Sequence, residues 1–197
     1  MIRTYIVSPF HVYGPSMCNT LNYINEQCDR EYGDYIIVNK LLYLDVLGFS
    51  FSDPKPGDVI VFHPPTHKDE FYVKRIIGVP GDKVKVENGL VYKWFNGSYE
   101  ELDESDYLND DSLGSTYGQF GTQASEFVVP SGKYFVLGDN RNQSTDSRRC
   151  FDGANSKICD SENEFAFVPK KNISGKAWIV VYPFENIQVI DSADYDF

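Results

Sequence analysis

Three times along this chain a Gly-Asp pair stands immediately before a run of β-branched residues: GDYIIV at 33–38, PGDVIVF at 56–62 and PGDKVKV at 80–86. Gly and Asp favour turns, whereas Val and Ile favour the half-buried surface of a pleated strand. A chain built on that device alternates tight turns with short strands, so the sequence predicts a mostly β, antiparallel assembly. ENGLVY (87–92) adds an Asn-Gly hairpin signal. KYFVLGDN (133–140) and KAWIVVYPF (176–184) read as further strands, and FYVKRIIGV (71–79) as one with little polar relief on either face. Helix is scarce. Only SMCNTLNYINEQC (16–28) holds a short helical pattern, with Leu21 and Ile24 on one side.

The 197 residues are 42% hydrophobic and 15% aromatic, which supports a packed core. A net charge of −11 disfavours nucleic acid, because no basic stripe exists to neutralise phosphates. Residues 98–125 depart from the pattern, being acidic and rich in Ser and Gly. This divides the chain into a core over 1–92 and 127–197 and an inserted, cap-like segment over 93–126. A second irregular insertion, CFDGANSKICDSENE, fills 150–164. No run approaches the ~20 apolar residues of a membrane-spanning helix, and MIRTYIVSPF lacks the layout of a signal peptide. Two local cysteine pairs, Cys18/Cys28 and Cys150/Cys159, are compatible with two short disulfides or with four buried thiols; spacing does not choose. Without a C-x-x-C, and with His11, His63 and His67 as the only histidines, a metal site has poor support and no cofactor is expected.

Two segments hold candidate chemistry. In HVYGPSMCNTL (11–21), Ser16 sits amid turn residues, as either a loop hydroxyl or a nucleophile. Lys74 lies inside the apolar run 71–77, sharing a face with Tyr72 and Ile76, while Arg75 shares the other with Val73 and Ile77. If buried, Lys74 would lose affinity for its proton and become a usable base; on an edge strand it would snorkel to solvent instead. In GDNRNQSTDSR (138–148), Ser144, Asp146 and Arg148 recur every second residue, and Asp146 with Arg148 suits a bidentate pair. A histidine-based triad is the weaker alternative, since no G-x-S-x-G elbow is present.

Taken together these segments resemble the type I signal peptidase family, Ser/Lys enzymes that remove signal peptides. GPSMCNTL (14–21) is similar to its nucleophile box, GDYIIVNKLLY (33–43) and PKPGDVIVF (54–62) to the next two, and FYVKRIIGVPGDKV (71–84) to its lysine box. YFVLGDNRNQSTDSR (134–148) and GKAWIVVYP (175–183) resemble the closing motifs. The resemblance implies Ser16 as nucleophile, Lys74 as general base, Ser144 orienting Lys74, and Asp146 with Arg148 supporting that segment. It implies an oxyanion loop of Gly14, Ser16 and Met17, and cleavage after small residues of the Ala-x-Ala type. The implied partners are signal peptides of membrane-bound preproteins and the membrane surface, on the extracytoplasmic face. Relatives carry a membrane-spanning segment before the serine box, so the expectation is an anchor trimmed from this chain.

This sequence departs from the pattern at two places in the serine loop. Asn19 replaces the usual proline, and Gly14 stands where some relatives place a serine that helps bind the oxyanion; a disulfide from Cys18 to Cys28 would restore rigidity there. Two other readings remain, a catalytically idle binding or scaffolding homologue and a self-cleaving Ser/Lys peptidase of the SOS-repressor type.

Overall fold

The computed structural model describes residues 6–24, 27–28, 33–43, 45–46, 49–118, 124–152 and 164–195. The chain is mostly β. Its large sheet is formed by β1 (Val7–His11), β4 (Tyr35–Asn39), β15 (Ile173–Tyr182), β7 (Val59–Phe62), β8 (Tyr72–Gly78), β13 (Lys133–Leu137) and β14 (Val168–Pro169), in that order, with β16 (Gln188–Val189) pairing β15. A second sheet contains β11 (Ser98–Glu101), β10 (Leu90–Phe95), β9 (Lys83–Glu87) and β12 (Ala124–Val128). Two minor hairpins are β2–β3 (Tyr23–Ile24, Gln27–Cys28) and β5–β6 (Asp45–Val46, Phe49–Ser50). All paired strands are antiparallel.

Each Gly-Asp device makes the predicted turn: Gly33, Gly57 and Gly81 all take positive φ, which glycine tolerates without strain. The Asn-Gly pair at 88–89 likewise has both φ positive and closes the β9–β10 hairpin, and Asn96-Gly97 repeats it between β10 and β11.

β7 shows why its run is uninterrupted by polar residues. Val59 and Val61 enter a core with Met17, Leu21, Ile36, Val38 and Val180, while Ile60 and Phe62 enter another with Ile76, Val136, Phe151 and Val168. Both faces of the strand are thus buried, each side chain contributing roughly 1.5–3 kcal/mol. A third core joins the small sheet to the large one through Ile77, Val84, Val86, Val91, Phe127, Phe135 and Phe167.

The short helix expected within 16–28 does not form. Asn19 and Asn22 adopt positive φ (125° and 57°), incompatible with a helix, and Tyr23–Ile24 pairs with Gln27–Cys28 as a hairpin. Asn22 gains more outside a helix. Its amide nitrogen donates to the carbonyls of Val12 (3.2 Å) and Gly14 (3.0 Å), and it exchanges two 2.6 Å bonds with Asp34. Among the described residues no helix is long and apolar enough to cross a membrane.

Candidate active site

Ser16 lies half-buried in a tight turn, where Cys18 N–H donates to Pro15 O at 3.0 Å and Leu21 N–H to Met17 O at 2.8 Å. Met17 and Leu21 anchor the turn in the core. Cys18 and Cys28 form a disulfide with Cα atoms 5.7 Å apart, closing the β2–β3 hairpin onto the loop. Cys159 lies outside the described residues.

The turn brings the Ser16 hydroxyl to Lys74. Nζ donates to Ser16 Oγ at 2.6 Å and to Val73 O at 2.8 Å, and sits 5.4 Å from the Tyr72 ring centre. Lys74 is only 3% exposed, so it does not snorkel. Burial pushes its ammonium down to about 8, against the pull of the Asp146 and Asp139 carboxylates. A lysine so placed is still mostly ammonium at pH 7, but its neutral fraction, roughly a tenth, is far above that of an ordinary lysine and rises steeply toward pH 8, as a proton acceptor needs.

The segment after β13 closes the site. A Cβ on Gly138 would stand 2.4 Å from Ser16 O and 2.2 Å from Ser144 Oγ, so only glycine lets the serine loop approach this closely. Asn140 N–H donates to Ser16 O at 3.1 Å. Asp146 accepts from Gly138 N–H at 3.1 Å and forms a bidentate pair with Arg148, Nε to Oδ1 at 2.9 Å and Nη2 to Oδ2 at 2.8 Å. Burial alone would raise the Asp146 carboxyl, but the Arg148 guanidinium overrides it and holds it below the ordinary value. Among the described residues Ser144 Oγ is buried with no partner in hydrogen-bond geometry, so its bond to Lys74 is not formed here; its nearby hydroxyl dipole helps keep Asp146 ionised.

Three residues to which the sequence reading gave no part in the site complete it. Arg75, on the opposite face of β8 from Lys74, forms a bidentate pair with Asp139, and Thr20 donates to Asp139 Oδ2 at 2.5 Å. Arg75 also reaches Thr20 Oγ1 at 3.1 Å, and Asn19 Nδ2 reaches Asp139 O at 3.3 Å. The signal was available in part: a guanidinium on a buried strand face requires a carboxylate. Asp139 itself read only as a turn residue.

Gly14, with φ of 85° and open space beside its α-carbon, brings no side-chain donor. His11 stacks on Tyr35 at 4.1 Å and His63 bonds Glu70 O at 3.0 Å, so the hydrogen bond to the Ser16 hydroxyl comes from lysine. Among the described residues no His, Cys, Asp and Glu group is arranged to hold a metal.

A family model described as signal peptidase, peptidase S26, matches residues 1–182. Signal peptidase I of Pseudomonas aeruginosa is 33% identical over 91% of this chain, which spans 66% of that protein, just under two thirds. Signal peptidase IB of Staphylococcus aureus is 31% identical over 95% of this chain and 84% of its own length. A solved signal peptidase I from Enterococcus faecalis is 27% identical, covers 64% of this chain and 97% of its own, and superposes with a TM-score of 0.40. With the family model covering nearly the whole chain, this protein belongs to the signal peptidase, peptidase S26, family.

Proposed function

We propose that the chain is the catalytic part of a serine endopeptidase that removes N-terminal signal peptides from exported preproteins. The observation that carries this is the 2.6 Å contact between a buried lysine and a serine hydroxyl in a chain of this family. Neutral Lys74 takes the Ser16 proton as Oγ attacks the scissile carbonyl, and the resulting ammonium protonates the leaving amine. A water then deacylates Ser16 with Lys74 again as base. The developing oxyanion is met by the backbone N–H of Ser16, which donates to no group among the described residues. Met17, buried in the core behind the serine, and Gly14, held through its carbonyl by Asn22, keep that loop in place. Ser144 serves as the alternative partner of Lys74 once Ser16 is acylated, which gives its unpaired buried hydroxyl a use.

An extended substrate suits the space beside β8. Within β8, β13 pairs only with residues from Arg75 onward, so among the described residues Tyr72–Lys74 has no strand partner on that side, and Phe10 of β1 stands nearby with its ring 5.0 Å from that of Phe71. A peptide adding there by main-chain bonds would present alternate side chains to shallow pockets, consistent with small residues of the Ala-x-Ala type. The membrane as a partner is supported by an aromatic rim: exposed Tyr182 lies 5.7 Å from Tyr35 and 5.5 Å from Phe184, with Tyr13 and Ile187 also exposed. A site on the extracytoplasmic face follows from such a substrate.

The test is cleavage of a model preprotein carrying an Ala-x-Ala site, with Ser16→Ala and Lys74→Ala alongside. We expect cleavage by the wild type and loss in both variants with the fold intact. Retained cleavage in either variant overturns the assigned roles, and an inert wild type favours the idle scaffold.

A further inference from the structure

The acidic excursion that follows β11 is packed, not loose. Leu102, Glu104, Leu108, Ser112 and Thr116 are all buried, and Thr116 bridges back to Gly89. Several of its polar contacts reach the segment 138–148 that closes the candidate site. Glu104 forms a bidentate pair with Arg141, with Nη1 to Oε2 at 2.7 Å. Thr116 Oγ1 accepts from Arg141 Nη1 at 2.6 Å, Tyr117 O from Arg148 Nη1 at 3.1 Å, and Asp111 O from Asn142 Nδ2 at 2.9 Å. Arg141 Nε then donates to Gly138 O at 3.1 Å, on the residue pressed against Ser16 O and Ser144.

The same strap reaches the second cation. The Tyr107 ring lies 4.1 Å from the Arg75 guanidinium carbon, and its hydroxyl donates to Glu104 Oε1 at 2.6 Å and meets the Tyr195 hydroxyl at 2.9 Å. Glu104 and Tyr107 thus brace both arginines that set the Gly138–Asn140 turn. Buried ion pairs contribute little net stability against apolar residues of similar volume, but a bidentate pair is strongly directional. What this pair directs is the carbonyl of Gly138.

We propose that Glu104 and Tyr107 are positioning residues for the Ser16–Lys74 centre, so that the strap over 102–118 is part of the catalytic machinery. The proposal rests on the function proposed above. Glu104→Gln should lower kcat on a model preprotein on the order of tenfold to a hundredfold with KM within about threefold, because a displacement near 1 Å at the reacting atoms costs that much. Glu104→Asp, keeping the charge, should recover part of the loss, and Tyr107→Phe should lower kcat several-fold. The Asn140 amide, bonded to Ser16 O, should exchange with solvent at least about tenfold faster in Glu104→Gln.

Folded Glu104→Gln and Tyr107→Phe with kcat within twofold of wild type overturn the proposal. If Glu104→Gln does not fold, Tyr107→Phe decides alone. If the wild type cleaves nothing, the proposed function falls separately, and an unchanged Asn140 exchange rate then overturns this inference by itself.

Discussion

Arg75 and Asp139 form a fully buried bidentate ion pair, Nε to Oδ1 at 3.0 Å and Nη2 to Oδ2 at 2.8 Å, directly beneath the serine loop. The pair links β8, the turn after β13 and Thr20, so it holds together the three pieces that meet at Ser16. Asp139→Asn leaves the guanidinium buried and uncompensated, which costs about 3–5 kcal/mol. Urea unfolding should show that loss. Thr20→Val removes two hydrogen bonds to charged groups but leaves the ion pair itself intact, so it should cost less, about 2 kcal/mol.

Gly138→Ala should separate activity from stability. The added carbon meets the backbone oxygen of Ser16 and the Ser144 side chain, and the backbone must yield. Overpacking of this kind costs about 1–3 kcal/mol, whereas moving the nucleophile by about 1 Å costs on the order of a hundredfold in rate. Steady-state kinetics and thermal unfolding of one variant should show a severe rate defect beside a modest stability defect.

The pH dependence follows from Lys74, whose folded value is about 8 against an ordinary 10.5. Cleavage should rise with pH through about 8 as the ammonium becomes the neutral base. Between about 8 and 10.5 the unfolded chain binds a proton that the folded chain has released, so stability rises with pH across that window. Below it the burial penalty is complete, about 3 kcal/mol. Lys74→Met should therefore be more stable than wild type at pH 7, with the gap closing by about pH 10.5. A pH-independent gap in chemical unfolding would show that the lysine is not buried in its charged form.

The Cys18–Cys28 disulfide closes a loop with a sequence separation of 10. Cross-linking so short a loop is worth about 3 kcal/mol by the chain-entropy estimate. Cys28→Ser should lower the melting temperature accordingly and reduce kcat more than it raises KM, because the serine turn loses the tie two residues after the nucleophile. Equal melting temperatures with and without reductant would contradict this.

The strand content was legible because period-2 burial and turn chemistry are local properties. Gly33, Gly57 and Gly81 take the positive φ that the Gly-Asp device implies, and Asn88-Gly89 turns its hairpin. What local chemistry hid is the second use of the aspartates. Asp34 locks Asn22, Asp58 accepts from Tyr43, Lys176 and Ser192, and Asp82 accepts from Val79 N–H and pairs with Lys93. A turn residue and a buried hub read alike in one dimension. The same blindness produced the helix expected at 16–28, where distant partners of Asn22 outweighed an apolar spacing.

By itself the sequence determined the strands, the turns and the family, because these follow from neighbouring residues and ordered motifs. It also presented Ser16 and Lys74, 58 residues apart, as candidates. Only the tertiary structure decided that Lys74 is buried, because its environment is set by β7, the segment after β13 and the serine loop, none adjacent to it in sequence. The structure likewise left the Ser144 hydroxyl without a partner among the described residues and bound the acidic excursion to Arg141. Burial and ion pairing are properties of assembled surfaces, and no single stretch of the chain carries them.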